Sequence, residues 1–260
     1  MEKHTFITAV ANQKGGVGKS TTAYNLAACL ALKHDRKVLL VDLDPQANLS
    51  EYLKYEPDGA PTLTQLIMTA CTGRTLTAEL VRSAIRHCDT ADVDYIPSDI
   101  NLANSEMLMQ TALSRETILR RILANVDGYD FIIIDCLPSL GTLLINALTA
   151  ADKLLIPVQT QKFSLDGLQA LHGLYEQIRT AINPKLAMLG VLPTMVDYTS
   201  VSKNALTQLG EQYGEMLFQT TISKSVEAAK SSESGIPLCM TAHKLGQEYE
   251  NLAQEVLERC

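Results

Sequence analysis

The chain has 260 residues, 46% of them hydrophobic and 20% charged, with a formal net charge of −7. That is globular composition, which excludes a disordered chain, and no apolar run approaches the length of a membrane span. Six scattered cysteines without a C-x-x-C pair argue against a zinc site or disulfide framework, and without a signal-peptide pattern the expectation is a cytoplasmic protein with buried thiols.

The first apolar run, Phe6–Ala11, reads as a strand buried on both faces. It leads into Asn12-Gln13-Lys14-Gly15-Gly16-Val17-Gly18-Lys19-Ser20-Thr21-Thr22. In the phosphate-binding pattern G-x-x-x-x-G-K-[ST], backbone N–H groups wrap the phosphates, the lysine reaches the terminal ones and the hydroxyl holds Mg²⁺. Gly18, Lys19 and Ser20 fit it, Gln13 replaces the first glycine, and a second cation, Lys14, stands five residues before Lys19. Gly15, Gly16 and Gly18 open backbone conformations closed to residues with a Cβ, so amides along Lys14–Thr21 can face one anion. A helix expected near 20–33, with apolar residues Tyr24, Leu26, Ala27 and Leu30, brings its positive end to the same point.

A second strand, Val38–Val41, ends in Asp42-Leu43-Asp44-Pro45-Gln46. The stretch 49–97 is less regular and reads as peripheral helices leading to a short strand, Val93–Ile96. Helical patterns follow near 101–110 and 114–126, then a strand at Phe131–Ile134 that ends in Asp135. Beyond it come a helix near 140–150, a strand at Leu154–Val158, a helix near 164–182, a strand at Met188–Leu192, and helices near 200–213 and 243–258. The alternation predicts a doubly wound α/β fold, a mostly parallel sheet with helices on both faces, as a single domain over 1–260 that carries the phosphate loop.

Ligands of such sheets collect outside the carboxyl ends of the strands, where Asp42, Asp44 and Asp135 converge on the loop. Mg²⁺ takes oxygen ligands and keeps waters, so Ser20 suits direct ligation, with Asp42 and Asp135 holding the hydrated ion. Asp44, turned to the mouth by Pro45, suits orienting an attacking water.

Three segments, Lys14–Thr21, Val41-Asp42-Leu43-Asp44-Pro45-Gln46-Ala47-Asn48 and Ile133-Ile134-Asp135-Cys136-Leu137-Pro138-Ser139, resemble the deviant Walker-A ATPases of the ParA/MinD group, and most of all its ParA/Soj branch. The likeness extends to Thr142–Ala151, Pro157–Gln159, Leu165–Gly167 and Gly190–Met195. It implies ATP and Mg²⁺ as cofactors, a homodimer formed on ATP, and a ParB-type partner in plasmid or chromosome segregation. Catalytic roles then fall to Lys14, reaching the partner's nucleotide, to Lys19 and to Asp44. The resemblance places the adenine near Pro193, Thr194 and Met195 and near Pro237. A cation beside the transferring phosphoryl group acts as an arginine finger does.

The chain also departs from the family. Leu137 stands where the branch has a proline, which alters loop stiffness rather than chemistry. Glu227 falls where an arginine that contacts DNA is common. Candidates for contacting non-specific DNA are Lys203, Lys224 and Lys230, on an acidic chain. The MinD branch instead inserts a basic terminal helix in the membrane. Here Leu245, Tyr249, Leu252 and Val256 share one face and acids dominate the other, so a core-packed helix without membrane contact is expected. The first strand begins near the start of the sequence, so no preceding helix-turn-helix domain is expected. Two alternatives stand beside the partition ATPase: a nucleotide-switched positioning or regulatory ATPase without DNA binding, and a small-molecule phosphoryl-transfer synthetase.

Overall fold

The computed structural model describes residues 4–162 and 165–260. Its seven-stranded sheet comprises β1 (Phe6–Val10), β2 (Val38–Leu43), β3 (Arg86–Cys88), β4 (Val93–Ile96), β5 (Phe131–Cys136), β6 (Lys153–Gln159) and β7 (Ala187–Thr194). The spatial order is β3-β4-β2-β5-β1-β6-β7, parallel throughout except for β3, which runs antiparallel to β4. Every residue of β2 and β5 is buried, as strands covered on both faces must be.

The two-residue period of the strands sorts their side chains between two cores. Leu39, Val41, Ile132 and Ile134 enter one core with α3 (Leu63–Cys71), α5 (Leu102–Met109), α6 (Ile118–Leu123) and α7 (Thr142–Ala150). Val38, Leu40, Phe131 and Ile133 enter the other, with α1 (Lys19–His34), α2 (Asn48–Tyr52) and α11 (Lys244–Arg259). Four helices remain: α4 (Ala78–Ser83), α8 (Leu165–Ala181), α9 (Ser200–Tyr213) and α10 (Glu227–Ser234). The layers are those of a doubly wound α/β sheet.

Several elements differ from the sequence expectation. The helix expected over 114–126 divides into a 3-10 turn at Arg115–Thr117 and α6. Residue 164, the expected start of the eighth helix, lies outside the described residues. The edge strand β3 carried no apolar pattern; Arg86 anchors it by binding Asp58 at 2.7 Å and the Ala60 carbonyl at 2.9 Å. Nor was α10 expected, because Ser231 is its one buried residue. Gly235 ends it in the left-handed region at φ 72°. Of the cysteines, Cys29, Cys136 and Cys239 are buried, Cys71 and Cys88 half-buried, and Cys260 exposed, the last against expectation.

The terminal helix packs as its pattern requires. Leu245, Tyr249, Leu252 and Val256 are all buried in the core that α1 also lines. Among the described residues no helix is long and apolar enough to cross a membrane. Removing the Leu252 side chain leaves a cavity that a packed helix only partly closes. Leu252→Ala is therefore expected to cost about 2–5 kcal/mol, read as a lower urea midpoint at unchanged slope. A loss under about 1 kcal/mol, well below that range for a buried leucine, means that α11 does not close the core.

Candidate functional site

The loop between β1 and α1 is held from beneath. Asn12 is buried; its Nδ2 donates to the Pro157 carbonyl at 2.7 Å and its Oδ1 accepts from the Lys14 amide at 2.9 Å. Thr194 Oγ1 donates to the Val17 carbonyl at 2.8 Å, fixing the loop to the end of β7. Gly16 and Gly18 take φ of 70° and 86°, which only glycine adopts readily. A Cβ at Gly15, Gly16 or Gly18 would meet no protein atom within 4 Å, so the space over the loop is open. The first turn of α1 has neither a side-chain cap nor an acid, leaving its amides available to an anion.

Lys19 is the only buried cation among the described residues. Its Nζ donates to the Lys14 carbonyl at 3.3 Å. Burial pulls the ammonium below its ordinary pKa, while Asp135, Cys136 and Asp44 act the other way. Lys19 thus stands between the loop and the carboxylates.

Asp42 and Asp135 lie directly opposite each other in the β2–β5 register, and Asp44 follows two residues later, also buried. Three donors hold Asp42: the Ser50 amide at 2.8 Å, the Ser50 hydroxyl at 2.7 Å and the Asp44 amide at 3.1 Å. A carboxylate offers about four acceptor positions, so roughly one remains open at Asp42. Burial pushes its pKa up to about 6, against the pull of those donors. Neither oxygen of Asp135 has a hydrogen-bond partner. Burial first, then the Asp42 charge, raise its pKa well above the usual range, while the nearby Ser20 hydroxyl and the Lys19 ammonium pull it down. An orphaned buried carboxylate beside a hydroxyl is the donor set a hydrated divalent cation requires, and Ser20, Asp42 and Asp135 fit Mg²⁺ on that ground.

Lys19, Ser20 and Asp44 line a cleft of about 390 Å³ with Gly15, Gly16, Gly18, Thr21, Pro138 and Met195, whereas Asp42 and Asp135 are buried behind its wall. Gln46, Asn48, Glu51, Tyr52 and Ser232 complete its wall. Sequence reasoning gave no site role to these five or to Pro138, although Gln46, Asn48 and Pro138 sit in the segments quoted for the resemblance. Asp44 Oδ1 accepts from the Gln46 amide at 2.9 Å, which fixes its carboxylate at the mouth. Of the positions expected at the adenine, Met195 lines the cleft, in the left-handed region at φ 51°. Pro193 and Pro237 are buried outside that wall, and the Pro193 carbonyl accepts from the Ile222 amide at 2.9 Å.

The basic residues of the last third are largely engaged. Lys230 pairs with Glu227 at 2.6 Å, and Lys224 Nζ donates to Gln161 Oε1 at 3.2 Å. Lys203 is exposed on α9.

A family model described as an AAA domain matches residues 5–188. The sporulation initiation inhibitor protein Soj of Bacillus subtilis is 37% identical over 254 residues, which span 96% of this chain and 97% of Soj. The chromosome partitioning protein ParA of Caulobacter vibrioides is 35% identical, over 97% of this chain and 94% of its own. Among solved structures, cobyrinic acid a,c-diamide synthase of Mycobacterium smegmatis, with bound ATP analog and magnesium, superposes with a TM-score of 0.74 at 34% identity, covering 89% of this chain and 93% of that one. From the loop of Lys14 and Lys19, the acids at the strand ends and similarity along nearly its whole length, the chain belongs to the ParA/Soj-like family of P-loop ATPases.

Proposed function

We propose that this protein is a partition ATPase that binds and hydrolyses MgATP in the cleft over Lys19, as a single domain that dimerises on ATP. One observation carries the reading: buried Lys19 lies between an open glycine cradle and the unpartnered carboxylate of Asp135. In that frame the amides of Lys14–Thr21 bind the phosphates, and Met195 borders the base. Mg²⁺, held by Ser20 with Asp42 and Asp135 through water, would neutralise phosphate charge. Asp44 orients the water, its carboxylate fixed from the Gln46 amide. The ammonium of Lys14, half-buried in the loop, reaches across to the nucleotide of a second copy, which makes hydrolysis depend on dimerisation.

Soj is a sporulation initiation inhibitor and ParA a chromosome partitioning protein. By that kinship the protein works with a ParB-type partner in the cytoplasm, on nucleoid DNA if its basic residues engage the duplex. A second reading, a nucleotide switch that ignores DNA, is favoured by the Glu227–Lys230 pair, which cancels charge on α10. A small-molecule synthetase is the third reading, supported by the likeness to the cobyrinic acid enzyme; fast turnover dependent on a metabolite would select it.

Asp44→Ala is expected to keep ATP affinity and slow turnover by about 10²–10⁴, the range for one positioned acid–base group. Unchanged turnover removes Asp44 from the role. Lys14→Ala is expected to bind ATP yet sediment as a monomer, and a dimer on ATP like that of the unaltered protein counts against the contact between subunits. Partition on DNA is tested with the slow Asp44→Ala protein, ATP and Mg²⁺ over a salt series. Retention that requires ATP and falls steeply with salt supports it, whereas a stable ATP dimer that ignores DNA at low salt selects the switch.

A further inference from the structure

A buried chain of hydrogen bonds leads from the phosphate-loop helix, through the segment after Asp44, to α10. Asn25 of α1 donates from Nδ2 to the Thr21 carbonyl at 2.9 Å and to the Tyr52 hydroxyl at 3.1 Å. Its Oδ1 accepts from the Leu238 amide at 2.8 Å. Tyr52, the last residue of α2, donates to Ser231 Oγ at 2.6 Å, and Ser231 donates to the Ile236 carbonyl at 2.5 Å. Tyr24 stacks on Tyr52 with ring centroids 4.1 Å apart and donates to the Gly235 carbonyl at 2.5 Å. Asn25, Tyr24, Tyr52 and Ser231 are all buried.

Each polar atom of this chain has a partner, so its geometry is specified and a shift at one end strains the other. Its ends have different surroundings. Thr21 and Tyr52 line the nucleotide cleft, as does Ser232, next to Ser231 on α10. The outer edge of α10 carries Lys230, with a side chain 67% exposed, paired with Glu227. Helix α10 has little core of its own to hold it, since Ser231 is its one buried residue. Besides part-buried Ala228, what holds it is a few hydrogen bonds: the Tyr52 hydroxyl to Ser231, Lys54 Nζ to the Glu233 carbonyl and Tyr24 to the Gly235 carbonyl.

We infer that Tyr52 is a positioning residue that ties α10 to the nucleotide cleft, so that the triphosphate-bound state orders α10 through Asn25, Tyr52 and Ser231. The inference rests on the nucleotide reading above. Ligand contacts at Thr21, Tyr52 and Ser232 favour one arrangement of α2 and α10, and the shared hydroxyls make the two helices adopt it together. The surface presented to a partner on α10 would then follow the nucleotide without any residue of that surface touching it.

Hydrogen exchange of the whole protein, with and without a non-hydrolysable ATP analogue and Mg²⁺, tests this. In the unaltered protein the analogue is expected to slow exchange at residues 14–22 and also along 227–234, the latter by about 5- to 150-fold, the usual span of coupling between sites. Tyr52→Phe keeps the ring stack and removes only the hydroxyl. At analogue concentrations that restore protection of 14–22, it is expected to lose the response at 227–234. Ser231→Ala, cutting the same link from α10, is expected to do the same. An α10 response that survives both substitutions overturns the relay, as does an α10 indifferent to the analogue while the loop is protected. Absence of protection at 14–22 in the unaltered protein overturns the nucleotide reading itself, and the relay with it.

Discussion

The structure is organised around one electrostatic imbalance. Asp42 and Asp135 face each other across adjacent strands, Asp44 stands just beyond, and Lys19 is the only buried cation among the described residues. Two buried carboxylates in register disfavour each other's charge, and burial adds to that cost. Three hydrogen bonds offset it at Asp42, where Ser50 supplies two, but none does so at Asp135. The site therefore carries more negative charge than its own lysine balances, beside a helix start whose amides are left for an anion. A cation and a polyanion entering together resolve both halves, and neither alone does.

That constraint explains how the local geometry is arranged. Ser50 is held in turn by the Ser98 amide at 2.9 Å, so the end of β4 braces the end of β2. Asp42 then acts on Asp44 through the backbone amide two residues on, which sets the direction of the chain at Pro45. On the far side of the sheet, Asn12 and Thr194 brace the loop from β6 and β7. The loop and the acids are thus fixed by strands that do not carry them, which is why the site needs the whole sheet.

How much of this was legible in the sequence depends on which signal each part left. The buried strands showed as apolar runs and the loop as glycines with two lysines, because close packing and close backbone approach each restrict residue type. The acids at the ends of β2 and β5 stood out because three of them at strand ends fall beside a phosphate loop, where the ligands of such sheets collect. By contrast, β3 and α10 left no periodic signal. Arg86 bonding to carbonyls holds the first, and Ser231 meeting Tyr52 holds the second. Neither kind of contact has a period along the chain. The cleft wall from Glu51, Tyr52 and Ser232 was hidden likewise, because it joins segments far apart in sequence. Of the two segments expected at the base, one reaches the cleft through Met195, while Pro193 and Pro237 lie outside its wall.

The charge of α10 gains its meaning from this arrangement. Taken alone, a pair such as Glu227–Lys230 on an exposed helix contributes little, because solvent screens it. It does not hold the helix in place; Tyr52 bonding Ser231 and Lys54 bonding the Glu233 carbonyl do that. The sequence of α10 therefore divides by depth: Ser231 and Ser232 answer to the nucleotide side, while Glu227 and Lys230 answer to whatever meets the surface. A change on the outer edge alters which surface is recognised, and a change on the inner edge alters when it is presented. Exchanging Glu227 for a cation could thus change the partner without disturbing the nucleotide chemistry, because no bond of the buried chain passes through it.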